Sequence, residues 1–403
     1  MLAPVHDRHR LLGLILVCAG SLMGPLDTAV NVAFPAITGA FGLPLRQIQW
    51  VVLAFALTQS VVTLACGRLG DLYGHRRIFA LGMACCAIAH LAAGFAPTFG
   101  WLVALRVLQG VAVGLAMACA PALATLLYPP EEKRRIVGIY VTAFSFGLAF
   151  GPLAGGLLIE WFGWPGVFWF RAPLALVVLL GLPWLADVRA ANDRNSSGPA
   201  DRSGSIAELP APLASKRRRE FGFLQLDSIF VNFAVFSILL LVPYALTAWP
   251  QLSKAGAGLL IALYPGGSLL GGLLAGRAGR GLRSSSLVLA GLLCSALGLL
   301  LVAALLATQS GWLLALGLAV TGIGLGVFQV GYTDATTSLL PPERRGVAGG
   351  LVSVTRLGGI LFGVTGISAL HEALDSHQIA LGICGLLLLG YALAAIVRVR
   401  RAG

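Results

Sequence analysis

Apolar residues fall in long uninterrupted runs, and polar residues gather in the short gaps between them. A run of about 20 apolar residues is long enough to cross the hydrocarbon core of a bilayer as one helix. Twelve such runs are predicted: Leu11–Pro35, Gln47–Gly67, Ile78–Pro97, Phe99–Tyr128, Ile136–Ile159, Trp164–Leu185, Phe221–Trp249, Ala257–Gly276, Ser286–Ala307, Trp312–Leu340, Val347–Leu370 and Gln378–Val397. No small-residue cleavage site follows the first run, so it reads as a membrane span and not a signal peptide. Between the sixth and seventh runs, a stretch rich in Ser, Pro and charge reads as a cytoplasmic linker over 187–220. It divides a bundle at 1–186 from a bundle at 221–403. The predicted fold class is all-α integral membrane, with twelve transmembrane helices in two pseudo-symmetric six-helix bundles.

Composition supports lipid as the solvent. The chain is 58% hydrophobic and only 11% charged, and it holds 52 glycines. A soluble domain carries about 25% charged residues, and small residues favour close packing of membrane helices. The net charge of +12 raises the question of nucleic acid. The basic residues sit in short loops, however, where they set topology, so no nucleic-acid partner is expected. Lys and Arg divide 23 to 2 between the two sides, with Arg46 and Lys254 on the poorer side. That asymmetry places both termini and the linker in the cytoplasm. The run Lys216-Arg217-Arg218-Arg219 suits anionic lipid headgroups. The seven cysteines lie within apolar runs without ligand spacing, so they read as packing residues and no metal is expected.

The two halves echo each other. Thr125-Leu126-Leu127-Tyr128-Pro129-Pro130 after span 4 has its counterpart in Ser338-Leu339-Leu340-Pro341-Pro342 after span 10. Gly67-Arg68-Leu69-Gly70-Asp71-Leu72-Tyr73-Gly74-His75-Arg76-Arg77 after span 2 pairs with Gly272 to Arg280 after span 8. A duplicated bundle is a common design for alternating access.

The stretch Gly67–Arg77 resembles the signature loop of the major facilitator superfamily, departing from it at Leu72 and His75. Leu105-Arg106-Val107-Leu108-Gln109-Gly110 resembles that family's fourth-span motif. Gly147-Leu148-Ala149-Phe150-Gly151-Pro152-Leu153-Ala154-Gly155-Gly156 is similar to the fifth-span motif of its antiporters. Leu26-Asp27-Thr28-Ala29-Val30-Asn31-Val32-Ala33-Phe34-Pro35 resembles the first-span motif of its drug:proton antiporter groups. The resemblance covers the whole chain. It implies the major facilitator fold, a central cavity lined by spans 1, 4, 7 and 10, and proton-driven export. It also implies that Asp71, with Gly67, Gly74, Arg76 and Arg77, forms a conformational latch against a helix of the opposite half. An ordinary salt bridge from Asp71 to Arg76 is the plainer reading. Gly147, Gly151 and Gly155 share one helix face and could seal the halves or simply pack a neighbour. Pro152 leaves the carbonyl of Leu148 without its helical partner.

Charges at membrane depth are costly, by about 2.5–3.5 kcal/mol on insertion scales, and are kept for a purpose. Counted along a helix rising 1.5 Å per residue, Asp27 and Arg106 sit about 10–12 Å below the external surface. They are expected to face each other across the cavity as the proton-coupling pair, the alternative being a static pair that fixes packing. Asn31, Gln109, Asn232, Tyr244, Gln329, Tyr332 and Arg356 are the expected cavity residues. Arg356 faces either substrate or Asp334, and Asp334 is assigned to Arg277 or Arg280. Arg171 and Asp227 are placed near span ends, where hydration is cheap, and His90 is placed in the packed interior.

The expected activity is export of a small apolar or amphipathic compound in exchange for protons. A proton-linked importer has the same fold. A lipid-modifying membrane enzyme would need carboxylate pairs or His clusters at depth, and the sequence has neither. No cofactor is expected, the proton gradient being the energy source. The expected partners are a small-molecule substrate, protons and membrane lipid, acting on a monomer. The Arg-over-Lys bias points to a bacterial inner membrane.

Overall fold

The computed structural model describes residues 3–185, 215–278, 282–339 and 345–402. Most of the expected linker lies outside them, as do Arg280, Arg344 and the side chain of Asp71, and with the last of these both readings of Asp71. The described residues form no strand. Fifteen α-helices run among them: α1 (Ala3–Ser21), α2 (Thr28–Val32), α3 (Phe34–Phe41), α4 (Gln49–Tyr73), α5 (His75–Ala93), α6 (Phe99–Leu126), α7 (Lys133–Phe162), α8 (Gly166–Trp169), α9 (Arg171–Gly181), α10 (Ser215–Leu246), α11 (Lys254–Ala278), α12 (Ser284–Leu305), α13 (Gly311–Leu339), α14 (Arg345–Leu374) and α15 (His377–Ala402). Eleven stretches are long and apolar enough to span a membrane, and a shorter apolar helix over Gly166–Gly181 supplies the sixth span. The protein is a multi-pass membrane protein of the expected all-helical class.

Two compact units form, one from Met1–Leu43 with Trp50–Asp201, the other from Pro44–Gln49 with Arg202–Gly403. In the first, span 1 is not one helix. Pro25 lacks an N–H, and the chain passes through a 3-10 turn at Pro25–Asp27 before resuming as α2. Span 6 is likewise broken, at Phe170, between α8 and α9. The α4–α5 junction is tighter than expected. Residues 67–73 are the last turns of α4, and Gly74 alone, at φ 89°, makes the reversal. Arg76 then donates from Nη2 to the Leu182 carbonyl at 2.8 Å.

The glycine stripe of α7 has a partner inside its own unit. A methyl on Gly155 would lie 2.7 Å from the carbonyl oxygen of Ala29, and one on Gly147 would lie 2.9 Å from Leu22. Gly151 faces Thr28, and Gly156 is also buried. The stripe therefore seats the broken part of span 1, as the neighbour-packing reading of it expects. Thr28 Oγ1 stands 2.9 Å from Pro25 O and 3.2 Å from Leu148 O, the carbonyl freed by Pro152.

In the second unit, spans 8, 9 and 10 pack through small residues. Gly267 and Gly271 of α11 meet the backbone of Ala319 and Ile323, while Gly291 and Gly298 of α12 meet Phe328 and Thr321. Both end helices run past their apolar spans. α10 begins at Ser215, inside the expected linker, and α15 continues to Ala402, through the expected tail. Where they meet, Asp227 is buried and accepts from Tyr391 Oη at 2.6 Å and Arg398 Nη2 at 2.7 Å. Its expected hydration at a span end is thus replaced by a buried contact, because the longer helices cover it.

Candidate functional site

The first unit converges on one carboxylate. Asp27 ends the 3-10 turn of span 1, so its side chain leaves the backbone where the helix is interrupted. Arg106, on α6, grips it with two parallel bonds, Nη1 to Oδ1 at 2.7 Å and Nη2 to Oδ2 at 2.6 Å. Fork-to-fork geometry of this kind is the strongest an arginine makes with a carboxylate. Arg106 also donates from Nε to Val51 O of α4 at 3.0 Å and from Nη1 to Gln109 Oε1 at 2.8 Å. Its guanidinium lies 4.1 Å from the centre of the Phe55 ring, a cation–π contact. Gly110 lets α6 come this close to α4, since a methyl there would lie 2.8 Å from Phe55 O.

A second arginine, which sequence reading placed near a span end, belongs to the same group. Arg171 opens α9 and donates from Nη1 to Asp27 Oδ1 at 2.8 Å. The break in span 6 starts α9 inside the bundle, at the level of Asp27. The side chain of Arg171 is 0% exposed, that of Arg106 1% and that of Asp27 16%, so the acid alone keeps an open edge. Arg171 Nη2 reaches Val167 O at 3.4 Å, while its Nε–H is buried without a partner. One clue was available beforehand: the first six spans hold two arginines, Arg106 and Arg171, and one acid, Asp27.

The rest of the network comes from spans 3 and 4. Gln109 is fully buried and donates to Ala89 O at 3.3 Å, and His90 is fully buried with Nδ1 2.7 Å from Cys86 O. The interior placement of His90 is as expected. Asp27 and Arg106 are in direct contact here, not opposed across a gap.

The expected cavity residues divide. Asn31 and Gln329 are half-buried. Gln109 is consumed by Arg106 and Ala89, and Tyr332 by hydrogen bonds to Gln225 at 2.8 Å and Thr355 at 2.7 Å. Asn232 is buried, bonding Ser228 O at 2.8 Å, and Tyr244 lies against His377 with ring centres 6.3 Å apart. Gln109, Tyr244 and Tyr332 thus join helices to one another in this conformation, while Asn232 bonds back within its own helix. Asp334 pairs with Ser284, and among the described residues it makes no ion pair with Arg277. Arg356 alone of the set is exposed. The described residues contain no cluster of His, Cys, Asp and Glu able to hold a metal.

Comparison with known proteins gives this architecture its relatives. The profile of the Major Facilitator Superfamily matches residues 16–252. The riboflavin transporter RibZ of Clostridioides difficile is 24% identical, covering 85% of this chain and 84% of its own. The tetracenomycin C resistance and export protein of Streptomyces glaucescens is 30% identical, over 86% of this chain and 73% of its own. The multidrug resistance protein Stp of Mycobacterium tuberculosis is 28% identical, over 89% and 75%. Among solved structures, a D-xylose-proton symporter superposes with a TM-score of 0.71 at 16% identity, covering 96% of this chain and 97% of its own. A POT family transporter in complex with 5-aminolevulinic acid superposes with a TM-score of 0.74 at 13% identity, over 98% and 96%.

Proposed function

The chain belongs to the major facilitator superfamily and is a transporter, not an enzyme; from that premise we propose that it exports a small apolar or amphipathic compound in exchange for protons. It would act as a monomer in a bacterial inner membrane, with both termini in the cytoplasm and the proton gradient as its energy source. The observation that carries the reading is Asp27, a carboxylate at membrane depth, on a broken helix, with both oxygens held by guanidinium groups.

Asp27 Oδ1 accepts from both arginines and Oδ2 from Arg106. Oδ2 accepts one bond only, and withdrawal of the carboxylate from an arginine would free a further lone pair for a proton. The 3-10 turn at Pro25–Asp27 is the place where span 1 can pivot, since its ladder of helical hydrogen bonds is already interrupted there. Separating a buried pair costs about 3–5 kcal/mol. An inward proton releases about 2.3 kcal/mol per 100 mV of membrane potential. The two are of the same order, so one or two protons can drive the exchange between paired and protonated Asp27. Export draws support from the fifth-span glycine motif and from the resistance and export relatives.

Import is the second reading, since the likeness to a riboflavin transporter over most of the chain carries no direction. The test is accumulation of tetracenomycin C and riboflavin in cells lacking their own exporters, expressing wild type or Asp27→Asn, with and without an uncoupler. Export predicts lower accumulation of at least one compound in wild type only, abolished by the uncoupler. Raised accumulation that the uncoupler abolishes would establish import. Full uncoupler-sensitive transport by Asp27→Asn would remove Asp27 from the coupling step.

A further inference from the structure

Among its described residues, the second unit holds an arginine with no acid beside it. Arg356 lies in span 11, within the long helix α14. Among the described residues it makes no hydrogen bond and no ion pair, although a lone charge at this depth is expensive. Which way it faces can be read from its helix. Val354, Phe362, Thr365 and Ala369 of α14 are exposed and share one face, the face toward lipid. Arg356 is on the opposite face, in line with Gly363 and Ile367, which are buried. Gly363 packs on Phe233 of α10, and nearby Gly359 packs on Ile229 and Asn232. Arg356 nevertheless keeps an exposed side chain. An exposed residue on the face away from lipid is open to approach by a ligand. Its neighbour Thr355 is tied to Tyr332 and, through it, to Gln225, which fixes the register of α14 at this point.

The first unit carries the same sign of surplus. Arg106 and Arg171 share the single carboxylate of Asp27, leaving one positive charge in excess. Among the described residues, each unit therefore holds an arginine within an apolar span without its own acid. A lipophilic cation would be repelled by both, whereas an anionic group would supply what is missing.

We infer that the transported compound is an amphipathic anion, a carboxylate or similar acid on an apolar body, whose charged group binds Arg356. The inference rests on the transporter reading above and names its substrate class. Guanidinium gives such a group two parallel charge-assisted bonds, and the apolar lining of the spans accommodates the body of the molecule.

The test measures binding without any gradient, so it stands apart from the test of proton drive. Full-length protein in lipid nanodiscs is melted with naphthoate, naphthamide and naphthylmethyl-trimethylammonium, which share a ring system and differ in charge. Naphthoate should half-saturate its stabilising shift at a concentration at least about tenfold below the amide, the effect of one charge-assisted hydrogen bond. Arg356→Gln should abolish that preference, and Arg356→Lys, which keeps the charge, should retain most of it while controlling for folding. The inference is overturned if the cation binds as tightly as the anion, if Arg356→Gln keeps the preference, or if naphthoate produces no shift up to its solubility limit. Any of these results leaves uncoupler-sensitive export unaffected, and loss of that export leaves the anion preference standing.

Discussion

Arg106 and Arg171 touch the same carboxylate, but they are not equivalent. Arg106 holds both oxygens of Asp27, caps Val51 O, anchors Gln109 and covers Phe55. Arg171 holds one oxygen and has a buried Nε–H left over. Arg171→Gln leaves a neutral bidentate pair, whereas Arg106→Gln leaves a single contact and strands two further polar groups. Breaking a buried pair by removing one partner costs about 3–5 kcal/mol, so Arg106→Gln should lower the melting temperature far more than Arg171→Gln. Equal losses would mean that the two arginines share the charge evenly. The pairing of Asp27 with Arg106 was legible because both residues sit at the same distance from the ends of their spans. Arg171 was not, because its depth depends on where a broken helix restarts.

Span 1 owes its shape to contacts with α7. The carbonyl of Leu148, deprived of its helical partner by Pro152, is taken by the hydroxyl of Thr28, next to Asp27. Thr28→Val should leave that carbonyl unsatisfied, at about 1–3 kcal/mol. Adding Pro152→Ala restores an N–H to Leu148, so the double variant should recover part of the loss in a thermal melt. A double variant no more stable than Thr28→Val would show that the hydroxyl does not serve this carbonyl. The glycines can be tested in the same way. Gly155→Ala forces a methyl to 2.7 Å from a backbone oxygen of span 1, while Gly138→Ala on the same helix meets nothing within 4 Å. Overpacking of this kind costs about 1–3 kcal/mol. Gly155→Ala should therefore destabilise the protein and slow transport, and Gly138→Ala should change neither.

At the scale of the whole molecule, the second unit joins its first and last helices through Asp227, Tyr391 and Arg398. Asp227→Ala should lower the melting temperature by more than it would if the residue were hydrated at a span end. Combining it with Arg398→Gln should add little, because neither partner then remains as an uncompensated buried charge. Amides of 215–220 should exchange slowly with deuterium, as helix; fast exchange would return them to the linker. Topology has its own check. Alkaline phosphatase, active only outside the cytoplasm, should be active when fused after Ser253 and inactive when fused after Gly403. The reverse result would invert the orientation drawn from the basic loops.

What the sequence determined alone is whatever depends on local composition. Twelve apolar runs of about 20 residues or more can cross a hydrocarbon core, eleven of them standing as helices of sufficient length and the sixth as a shorter one, and basic residues avoid one side, so fold class follows from solvent preference without knowledge of contacts. The missing N–H of Pro152 and the faces shared by Gly147, Gly151 and Gly155 follow from backbone chemistry and helical period. What only the tertiary structure decided is which group answers which. The stripe could have met any helix and meets span 1. The Leu148 carbonyl could have met water and meets Thr28. Gln109 and Tyr332, polar residues at cavity-like positions, bond to neighbouring helices, while Arg356 does not. A side chain at membrane depth must be satisfied by something, but the partner is brought by another helix distant in sequence. Its identity is a property of packing that periodicity and composition do not encode.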